Sequence, residues 1–224
     1  MTQSIKLLEL FAGSRSVGKA GEKLNMNVFS SDIENFEKID YVVNILDFDV
    51  NQVPFIPDII WASPPCTSFS VASIGHHWHK DHTPKTENAI LGVKIVQKTL
   101  DIIEHFIKLN PNLIYYMENP RGKLRKLPLV QNYDRGTIMY CQYGDKRMKP
   151  TDIWSNNLFS ILNPQGFEPK TCFNGNVNCH HEPAPRGSKT GGTQGLKGAY
   201  QRSKIPDELC TEVLQSAINK IKTI

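Results

Sequence analysis

The sequence predicts an α/β protein built on a largely parallel sheet. Short apolar runs with strand character alternate with helical stretches along the 224-residue chain. Several of these runs stop at glycine, proline or an acidic residue. Alternating strands and helices are typical of a parallel sheet with crossover helices, in which ligands bind at the carboxyl ends of the strands.

The elements follow from this alternation. Extended segments are expected at residues 6–11, 27–31, 42–46, 56–62, 113–117, 137–141 and 151–154. Helices are expected at residues 19–24, 88–109 and 206–221, and the last two carry a clear apolar face. The polar and aromatic stretch 71–87 has no periodicity, which predicts a long functional or disordered loop.

The composition is that of a soluble globular protein, with 39% hydrophobic and 21% charged residues. No apolar run approaches the roughly 20 residues that span a bilayer, and the N-terminus lacks the layout of a signal peptide. Five cysteines without a repeating spacing argue against a disulfide scaffold. We therefore expect a protein of a reducing cytoplasm, and the net charge of +4 permits nucleic-acid binding without requiring it.

Cys66 follows an apolar run that ends in two prolines, Pro64 and Pro65. Proline fixes φ and cannot continue a sheet ladder, so the strand must end here and leave Cys66 at the carboxyl edge of the sheet. A cysteine on such a turn is positioned as a nucleophile. The alternative is a small buried hydrophobic residue, because reactivity depends on a lowered pKa that the sequence does not show.

Two other strand ends carry candidate binding groups. The small residues of turn 11–18 would let a ligand approach the backbone, and the N–H groups at the helix start favour an anionic group. Asp32 closes the next strand, where a ribose hydroxyl would be bound. Glu118 also ends a strand and can serve as a general acid or hydrogen-bond acceptor. The alternatives are an ordinary tight turn for the first and a helix cap or surface charge for Glu118.

Taken in order, these motifs resemble those of the cytosine-C5 DNA methyltransferases. Residues 8–13 (LELFAG) resemble the family's cofactor motif, and residues 63–70 (SPPCTSFS) resemble its catalytic Pro-Cys motif. Residues 117–120 (MENP) resemble its Glu-Asn-Val motif with proline in place of valine. Residues 142–147 (QYGDKR) are a loose form of its Gln-x-Arg-x-Arg motif, and residues 199–213 resemble its last motif without the usual Gly-Asn pair.

The resemblance implies a Rossmann-like S-adenosylmethionine-dependent methyltransferase sheet flanked by helices, with a very small target-recognition insert. It implies that the Cys66 thiolate adds to C6 of a cytosine flipped out of double-stranded DNA, while Glu118 binds the base. C5 would then take the methyl group of S-adenosylmethionine. Arg147, or Lys149 beside it, would support the flipped base or its phosphate.

The resemblance also implies a cofactor pocket around the first turn, the second strand end and the Pro-Cys turn. Its candidate residues are Phe11, Ala12, Gly13, Ser14, Ser16, Asp32, Ile33, Asn44, Ile45 and Pro64. Asp32 would hold the ribose hydroxyls. The family's acid against the adenine amine should fall near Asn44, so either the Asn44 amide or Asp47 does this work.

DNA contacts are expected in two places. The segment 68–85 fits a lid that closes over the extruded base, and its candidate contacts are Ser68, Ser70, His76, His77, Lys80 and His82. For the histidines the alternative is a solvated loop. In the short recognition segment the candidates are Arg186, Lys189, Thr190 and Gln194. So short a segment predicts a short or relaxed target that is reached largely through phosphate contacts.

The predicted organisation has three parts: a catalytic and cofactor-binding domain (1–160), the target-recognition segment (161–197), and a C-terminal segment and helix that return to the catalytic domain (198–224). We expect a monomer that binds no membrane. We also expect no metal, although one set of residues has the types that zinc prefers, at an irregular spacing: Cys172, Cys179, His180 and His181.

Two other functions stay open. One is a catalytically silent, DNA-binding relative, against which the intact Pro65-Cys66 and Glu118-Asn119 pairs argue. The other is an enzyme that puts a different one-carbon group on a pyrimidine, for example a free nucleotide. The basic, glycine-rich stretch 186–197 favours DNA over a nucleotide.

Overall fold

A computed structural model describes residues 4–71, 73–182, 196 and 198–223, and these residues form a seven-stranded sheet with helices on both faces. The strands are β1 (Lys6–Leu10), β2 (Asn27–Asp32), β3 (Tyr41–Val42), β4 (Ile59–Ala62), β5 (Ile114–Pro120), β6 (Arg135–Met139) and β7 (Pro150–Ser155). Their order is β3-β2-β1-β4-β5-β7-β6. β7 runs antiparallel between β5 and β6, and the other pairs are parallel.

The α-helices are α1 (Ser16–Lys23), α2 (Ile74–His77), α3 (Glu87–Leu109), α4 (Ala199–Ser203) and α5 (Asp207–Ile221). Short 3-10 helices lie at Ile45–Asp47, Val50–Gln52, Leu124–Lys126, Pro128–Val130 and Tyr140–Tyr143. α3 begins at Glu87 because the Thr86 side chain accepts the Ala89 N–H, and it ends at Asn110, directly before a proline.

The sheet has a hydrophobic core on each face because successive residues of its central strands point to opposite sides. Leu8 and Ile60 pack in the core that includes α3, whereas Leu7 and Ile59 pack in the core that includes α1 and α5. Each fully buried leucine or isoleucine stabilises the fold by about 1.5–3 kcal/mol. Burial on both faces explains why these strands read as continuous apolar runs rather than alternating ones.

The C-terminal helix packs beside the first one. The buried side of α5 contains Leu209, Val213 and Leu214, which share a core with Val17 and Ala20 of α1. An exposed ion pair between Lys23 and Asp207 joins the same two helices. Because exposed ion pairs contribute at most about 1 kcal/mol, apolar packing holds α5 on the sheet.

Two sequence-based expectations were wrong in detail. The extended segment expected at 42–46 is a strand only at Tyr41–Val42, because the Asn44 side chain accepts the Leu46 N–H and starts a 3-10 helix. The loop expected at 71–87 contains α2 and a buried tryptophan, Trp78. Within the residues that the structure describes, every helix is too short or too polar to cross a bilayer.

Candidate active site and cofactor pocket

The Pro-Cys turn leaves the sheet just after β4, at its carboxyl edge. The Asn119 side-chain amide donates a 2.8 Å hydrogen bond to the carbonyl oxygen of Pro64, so the Glu-Asn motif on β5 fixes this turn directly. The Cys66 carbonyl oxygen accepts the N–H groups of Phe69 and Ser70, both at 3.0 Å. Cys66 is half-buried there, at the edge of the sheet rather than in either hydrophobic core.

Glu118 lies near the end of β5 and is only 6% exposed. The Tyr140 hydroxyl donates to Glu118 Oε1 at 3.2 Å. Burial raises the pKa of the Glu118 carboxyl, and the charge of Lys149 and hydrogen bonds from Tyr140 and Ser63 act in the opposite direction. The Trp61 indole N–H donates to Ser63 Oγ, which leaves the Ser63 proton for the carboxylate. Glu118 therefore favours the protonated form more than a free glutamic acid does.

Lys149 supplies the positive charge of this site. Its Nζ lies 4.3 Å from the centroid of the Tyr140 ring and donates a 3.3 Å hydrogen bond to the Arg202 carbonyl oxygen. Burial lowers the pKa of Lys149, while the charges of Glu118 and Cys66 raise it. Lys149 has a φ of 29°, in the region that non-glycine residues rarely adopt. Such strain persists where the surroundings over-determine a residue, often at functional sites.

The thiol of Cys66 is not activated in the free protein. Burial and the negative charge of Glu118 raise its pKa, whereas the charges of Lys149 and Arg202 lower it. Reactive cysteines lie in electropositive, partly exposed surroundings, and this site meets both conditions only in part. The arrangement thus joins a nucleophile, a carboxyl group and a cation at one edge of the sheet.

The structure separates the two cations that the sequence offered for this site. Arg147 is buried, and its guanidinium binds both carboxylate oxygens of Asp145. A bidentate pair of this kind leaves less of the guanidinium free for a ligand, and the expected role of Arg147 stays a prediction. Lys149 remains the cation that faces Cys66 and Glu118.

The first turn is built from unusual backbone. Phe11, Gly13 and Arg15 all have positive φ, at 58°, 48° and 54°. The Gly13 N–H donates to Asp32 Oδ2 at 2.8 Å, and the Glu34 N–H donates to Oδ1 of the same carboxylate at 2.9 Å. These bonds fix the half-buried Asp32 carboxylate beside the turn, where a ribose hydroxyl could be bound. The neighbouring Ile33 side chain is 62% exposed, which gives the pocket an apolar surface.

The sequence reading missed Glu9, which lies in β1 under the first turn and is 2% exposed. Its carboxylate accepts the Gly18 N–H at 3.0 Å and the Ser30 hydroxyl at 2.8 Å, and the Arg15 Nε lies 4.0 Å away. Burial raises the pKa of Glu9, and these partners oppose the rise. The expectation that helix-start N–H groups await a ligand therefore fails at Gly18, since Glu9 already takes that donor.

Some of the remaining candidate cofactor residues have buried side chains, and others have exposed ones. The Ile45 side chain is buried in the core beside α3, so its predicted contact with the cofactor would be made by its backbone. Asn44 and Asp47 are both exposed, and the choice between them stays a prediction. Ala12, Ser14 and Pro64 are buried and Ser16 is half-buried around the turn, with the Ser14 and Ser16 hydroxyls 2.8 Å apart.

Two of the expected DNA contacts, Ser68 and His77, are engaged within the protein, and their role toward DNA stays a prediction. Ser68 is 3% exposed and faces α3, and its carbonyl oxygen accepts the Trp78 indole N–H. His77 is buried, with its Nδ1 2.7 Å from the Thr86 hydroxyl. Both residues hold the loop in place and present little to a phosphate.

The other expected DNA contacts stay predictions. His76, Lys80 and His82 are exposed, and Ser70 is half-buried with its hydroxyl 2.9 Å from that of Ser73. The His82 Nδ1 lies 2.6 Å from the Lys123 ammonium. The candidates of the recognition segment lie outside the described residues: Arg186, Lys189, Thr190 and Gln194.

The segment predicted to form a lid packs against the loop that follows β5. Trp78 stacks on Phe69 with ring centroids 5.8 Å apart, and the Lys123 ammonium lies 5.1 Å from the Trp78 ring. The Lys123 N–H donates to the Phe69 carbonyl oxygen at 2.7 Å. A Cβ on Gly122 would come within 2.2 Å of that same oxygen, so the two motif loops touch through a glycine. In this arrangement the segment is a wall of the site.

The expected zinc residues are also split. Cys172, Cys179 and His181 converge, but their fourth neighbour is Cys141, which follows β6. His180 is exposed and lies outside that group, so its place in the expected set was wrong.

The strand order, with one antiparallel strand between β5 and β6, defines a Rossmann-like methyltransferase fold, as the sequence predicted. The Entamoeba histolytica methyltransferase EhMeth shares this fold, with a TM-score of 0.50 and 11% identity over 98% of this chain and 99% of that chain. A DNMT2 mutant from Spodoptera frugiperda gives a TM-score of 0.47 and 17% identity, over 76% of this chain and 56% of that chain.

One curated protein is similar to this chain in amino-acid sequence. The chain is 27% identical over 228 residues to a probable DNA (cytosine-5)-methyltransferase of Frog virus 3 (isolate Goorha), an alignment that covers 94% of this chain and 99% of that protein. No protein-family model matches the chain. The resemblance to the cytosine-C5 DNA methyltransferases that the motifs predicted is confirmed by this relative.

Two residues of the candidate active site were absent from the sequence reading. Tyr140 precedes the loose Gln-x-Arg-x-Arg motif, and Arg202 belongs to the last motif, whose missing Gly-Asn pair concealed its position. Both act on charges: Tyr140 through its hydrogen bond to Glu118, and Arg202 through its effect on the pKa of Cys66. Only the packing of α4 and the 3-10 helix against the sheet edge brings them there.

Proposed function

We propose that this chain is a DNA cytosine-C5 methyltransferase that uses S-adenosylmethionine. The observation that carries the proposal is the meeting of Cys66, Glu118 and Lys149 at the carboxyl ends of β4 and β5. Covalent addition to C6 of a pyrimidine needs a nucleophile, here a thiolate. It also needs a group that stabilises the negative charge that develops on the ring. Cys66 and Glu118 supply these two functions, and Lys149 supports both anions.

The proposed chemistry begins because C5 of cytosine is a poor nucleophile. The Cys66 thiolate adds to C6, the electrons of the C5–C6 double bond move to C5, and Glu118 donates a hydrogen bond or proton at N3. The C5 electrons would form the bond to the methyl carbon, and the cofactor's sulfur would keep the electrons of the broken sulfur–methyl bond. A solvent water or hydroxide then takes the C5 proton, and Glu118 takes back the proton from N3. The electrons of that C–H bond restore the double bond and expel the Cys66 thiolate. S-adenosylmethionine supplies the electrophilic methyl group when it is bound.

The raised pKa of Glu118 supports this role, because a carboxyl group that keeps its proton more readily can donate it to N3. The raised pKa of Cys66 means that the thiolate must form once the base is in place. When Glu118 passes its proton to N3, the ring gains a positive charge that offsets the new carboxylate and favours ionisation of the thiol. Lys149 then stabilises the thiolate through its charge.

The residues around the first turn fit the adenosyl group of the cofactor. Asp32 offers a fixed carboxylate to ribose hydroxyls, and the exposed Ile33 offers an apolar surface to adenine. Phe11, at the positive-φ start of the turn, is half-exposed on the same edge. Glu9 and Arg15 would act indirectly, by holding the turn from beneath.

Double-stranded DNA is the proposed substrate, with residues 1–160 as the catalytic part, 161–197 as the recognition segment and 198–224 as the returning C-terminal part. A cytosine must leave the helix before a thiol can reach C6. The exposed His76 and Lys80 belong to the segment that follows the candidate nucleophile and could meet the phosphates. All five cysteines are free, which suits a reducing compartment.

Trapping tests the proposal. Duplex DNA that contains 5-fluorocytosine should form an adduct stable to denaturant when S-adenosylmethionine is present, because C5 has no proton to lose. Cys66→Ser should form no adduct, whereas Cys210→Ala, in the core under α5, should still form it. An adduct in Cys66→Ser would remove the nucleophile from the proposal. Methyl transfer to dCMP instead of DNA would favour the nucleotide enzyme, and DNA binding without transfer would favour the silent relative.

A further inference from the structure

Four side chains from two separate parts of the sequence converge near the active site. Cys141 lies in the 3-10 helix after β6, whereas Cys172, Cys179 and His181 belong to the proposed recognition segment, 161–197. Their ligand atoms all lie within 4.8 Å of one another. The His181 Nδ1 is 3.7 Å from Cys172 Sγ and 3.4 Å from Cys179 Sγ.

These distances match a tetrahedral zinc site. Zn–S bonds of about 2.3 Å and Zn–N bonds of about 2.0 Å place the ligand atoms of a tetrahedron about 3.5–3.8 Å apart. Three cysteines and one histidine are a common ligand set of structural zinc. The two sulfur–nitrogen separations fit this geometry, and the widest pair of ligand atoms, within 4.8 Å, needs to close by about 1 Å to accept the ion.

Polar groups around the cluster support thiolate ligands. The Asn176 side-chain amide points its N–H at Cys172 Sγ from 3.4 Å, and that of Gln142 points at Cys141 Sγ from 3.9 Å. Outer donors of this kind orient metal ligands and stabilise their charge. A purely apolar cysteine cluster would not need them.

The segment around the cluster has no core of its own. Among residues 170–182, all of which the structure describes, Cys172 is the only buried one. The large apolar side chains of Phe173 and Val177 are 66% and 87% exposed. A chain that buries so little apolar surface does not fold by hydrophobic burial alone, and small domains of this kind use metals or disulfides instead.

A disulfide explains the cluster less well. All the cysteines are free, and one disulfide would leave the third cysteine and His181 without a role. The reducing compartment that the composition predicts also disfavours it.

We propose that Cys141, Cys172, Cys179 and His181 bind one structural Zn²⁺ ion. The site is closed, with four protein ligands, so it holds the fold rather than performing chemistry. This proposal replaces the expectation of no metal and the ligand set that contained His180. It does not depend on the proposed methyltransferase activity.

The proposed zinc ion would lie close to the candidate active site. Cys141 is the neighbour of Tyr140, whose hydroxyl binds Glu118. Beyond the last ligand, the Glu182 N–H donates to the Lys146 carbonyl oxygen at 2.8 Å. Zinc would therefore fasten the start of the proposed recognition region to the same edge of the sheet that carries the candidate active site.

Metal analysis of the full chain tests the site. Protein expressed with added zinc and purified without chelators should contain one equivalent of zinc by mass spectrometry. His181→Asn and Cys179→Ser should lose it. The matched control is His180→Asn, which changes the exposed neighbouring histidine and should retain the full equivalent.

Cobalt keeps the test informative if the ligand variants fail to fold. Co²⁺ bound to the wild-type chain should show thiolate-to-metal charge transfer and the intense visible bands of a tetrahedral site. A folded wild-type chain that holds no zinc, or a weak six-coordinate cobalt spectrum, would overturn the proposal. A disulfide among the three cysteines in freshly purified protein would overturn it as well.

Discussion

Two glutamates lie buried at the same edge of the sheet, and their surroundings differ. Glu9 accepts a backbone N–H and a hydroxyl and has the Arg15 guanidinium beside it. Glu118 accepts the hydroxyls of Tyr140 and Ser63, and within the described parts of the chain it forms no ion pair at 4.0 Å or less. Burial raises the pKa of both carboxyl groups.

The difference separates a structural carboxylate from a reactive one. The oxygens of Glu9 are used by the protein, so its charge fixes the strand, the first turn and α1 to one another. Glu118 keeps acceptor capacity and shares its surroundings with a cation and a thiol. A buried charge without a close partner is costly, and such cost is found where a site must change protonation during a reaction.

Glu118→Gln should cause the largest change in activity. Glutamine keeps the shape but donates no proton, so methyl transfer to DNA should fall about 10²- to 10⁴-fold. The thermal midpoint and the affinity for S-adenosylmethionine should change little, because no ion pair is lost. Isothermal titration with the cofactor checks the second point, and loss of cofactor binding would move Glu118 into the other pocket.

Glu9→Gln should have the opposite signature. Among the residues that the structure describes, it leaves the buried Arg15 with Glu22 as its one close carboxylate, 2.9 Å from Nη1. Unfolding in urea should show a loss of about 2–3 kcal/mol, since breaking a buried pair strands the remaining charge. Adding Arg15→Met should recover part of that loss. If Glu9→Gln kept its full stability but lost activity, the assignment of Glu9 as the structural carboxylate and Glu118 as the reactive one would be wrong.

Gly122→Ala tests how closely the loops that carry Cys66 and Glu118 must meet. The added methyl group would lie 2.2 Å from the Phe69 carbonyl oxygen, so the loops must separate. We expect a loss of about 1–3 kcal/mol in unfolding free energy together with slower methyl transfer. Gly75→Ala is the matched control, because nothing lies within 4 Å of the added atom. Equal behaviour of the two variants would contradict the close contact.

Lys149→Met should give the smallest change, visible in the pH profile. Removing this charge raises the pKa of Cys66 further, since Lys149 lowers it in the native protein. The rate of adduct formation should still rise with pH, but that rise should move to higher pH. At neutral pH the rate should fall, because a smaller fraction of Cys66 is then ionised. Lys146→Met, whose side chain is 82% exposed, is the control that should leave the profile in place.

For the proposed zinc ligands, as for the two glutamates, the sequence predicted only part of the site. Three of the four were visible as a cluster, because they lie within ten residues of one another. Cys141 was not, because it reaches the cluster only through the placement of β6 and β7. His180 and His181 look equivalent in the sequence, and only the backbone turn decides which one points inward.

The sequence by itself determined the order of strands and helices and the residues that stand at strand ends. Local periodicity and breakers such as Pro64 and Pro65 encode these features, so Cys66, Glu118 and Asp32 could be placed on one edge in advance.

Only the tertiary structure decided what each group at that edge is free to do. Asp145 pairs with Arg147, so Lys149 is the cation that remains near Cys66. The Thr86 hydroxyl hydrogen-bonds to His77, and the Gly18 N–H donates to the Glu9 carboxylate. The physical reason is that burial and competing partners determine whether a charge is available, and both depend on distances between residues that no short window of sequence contains.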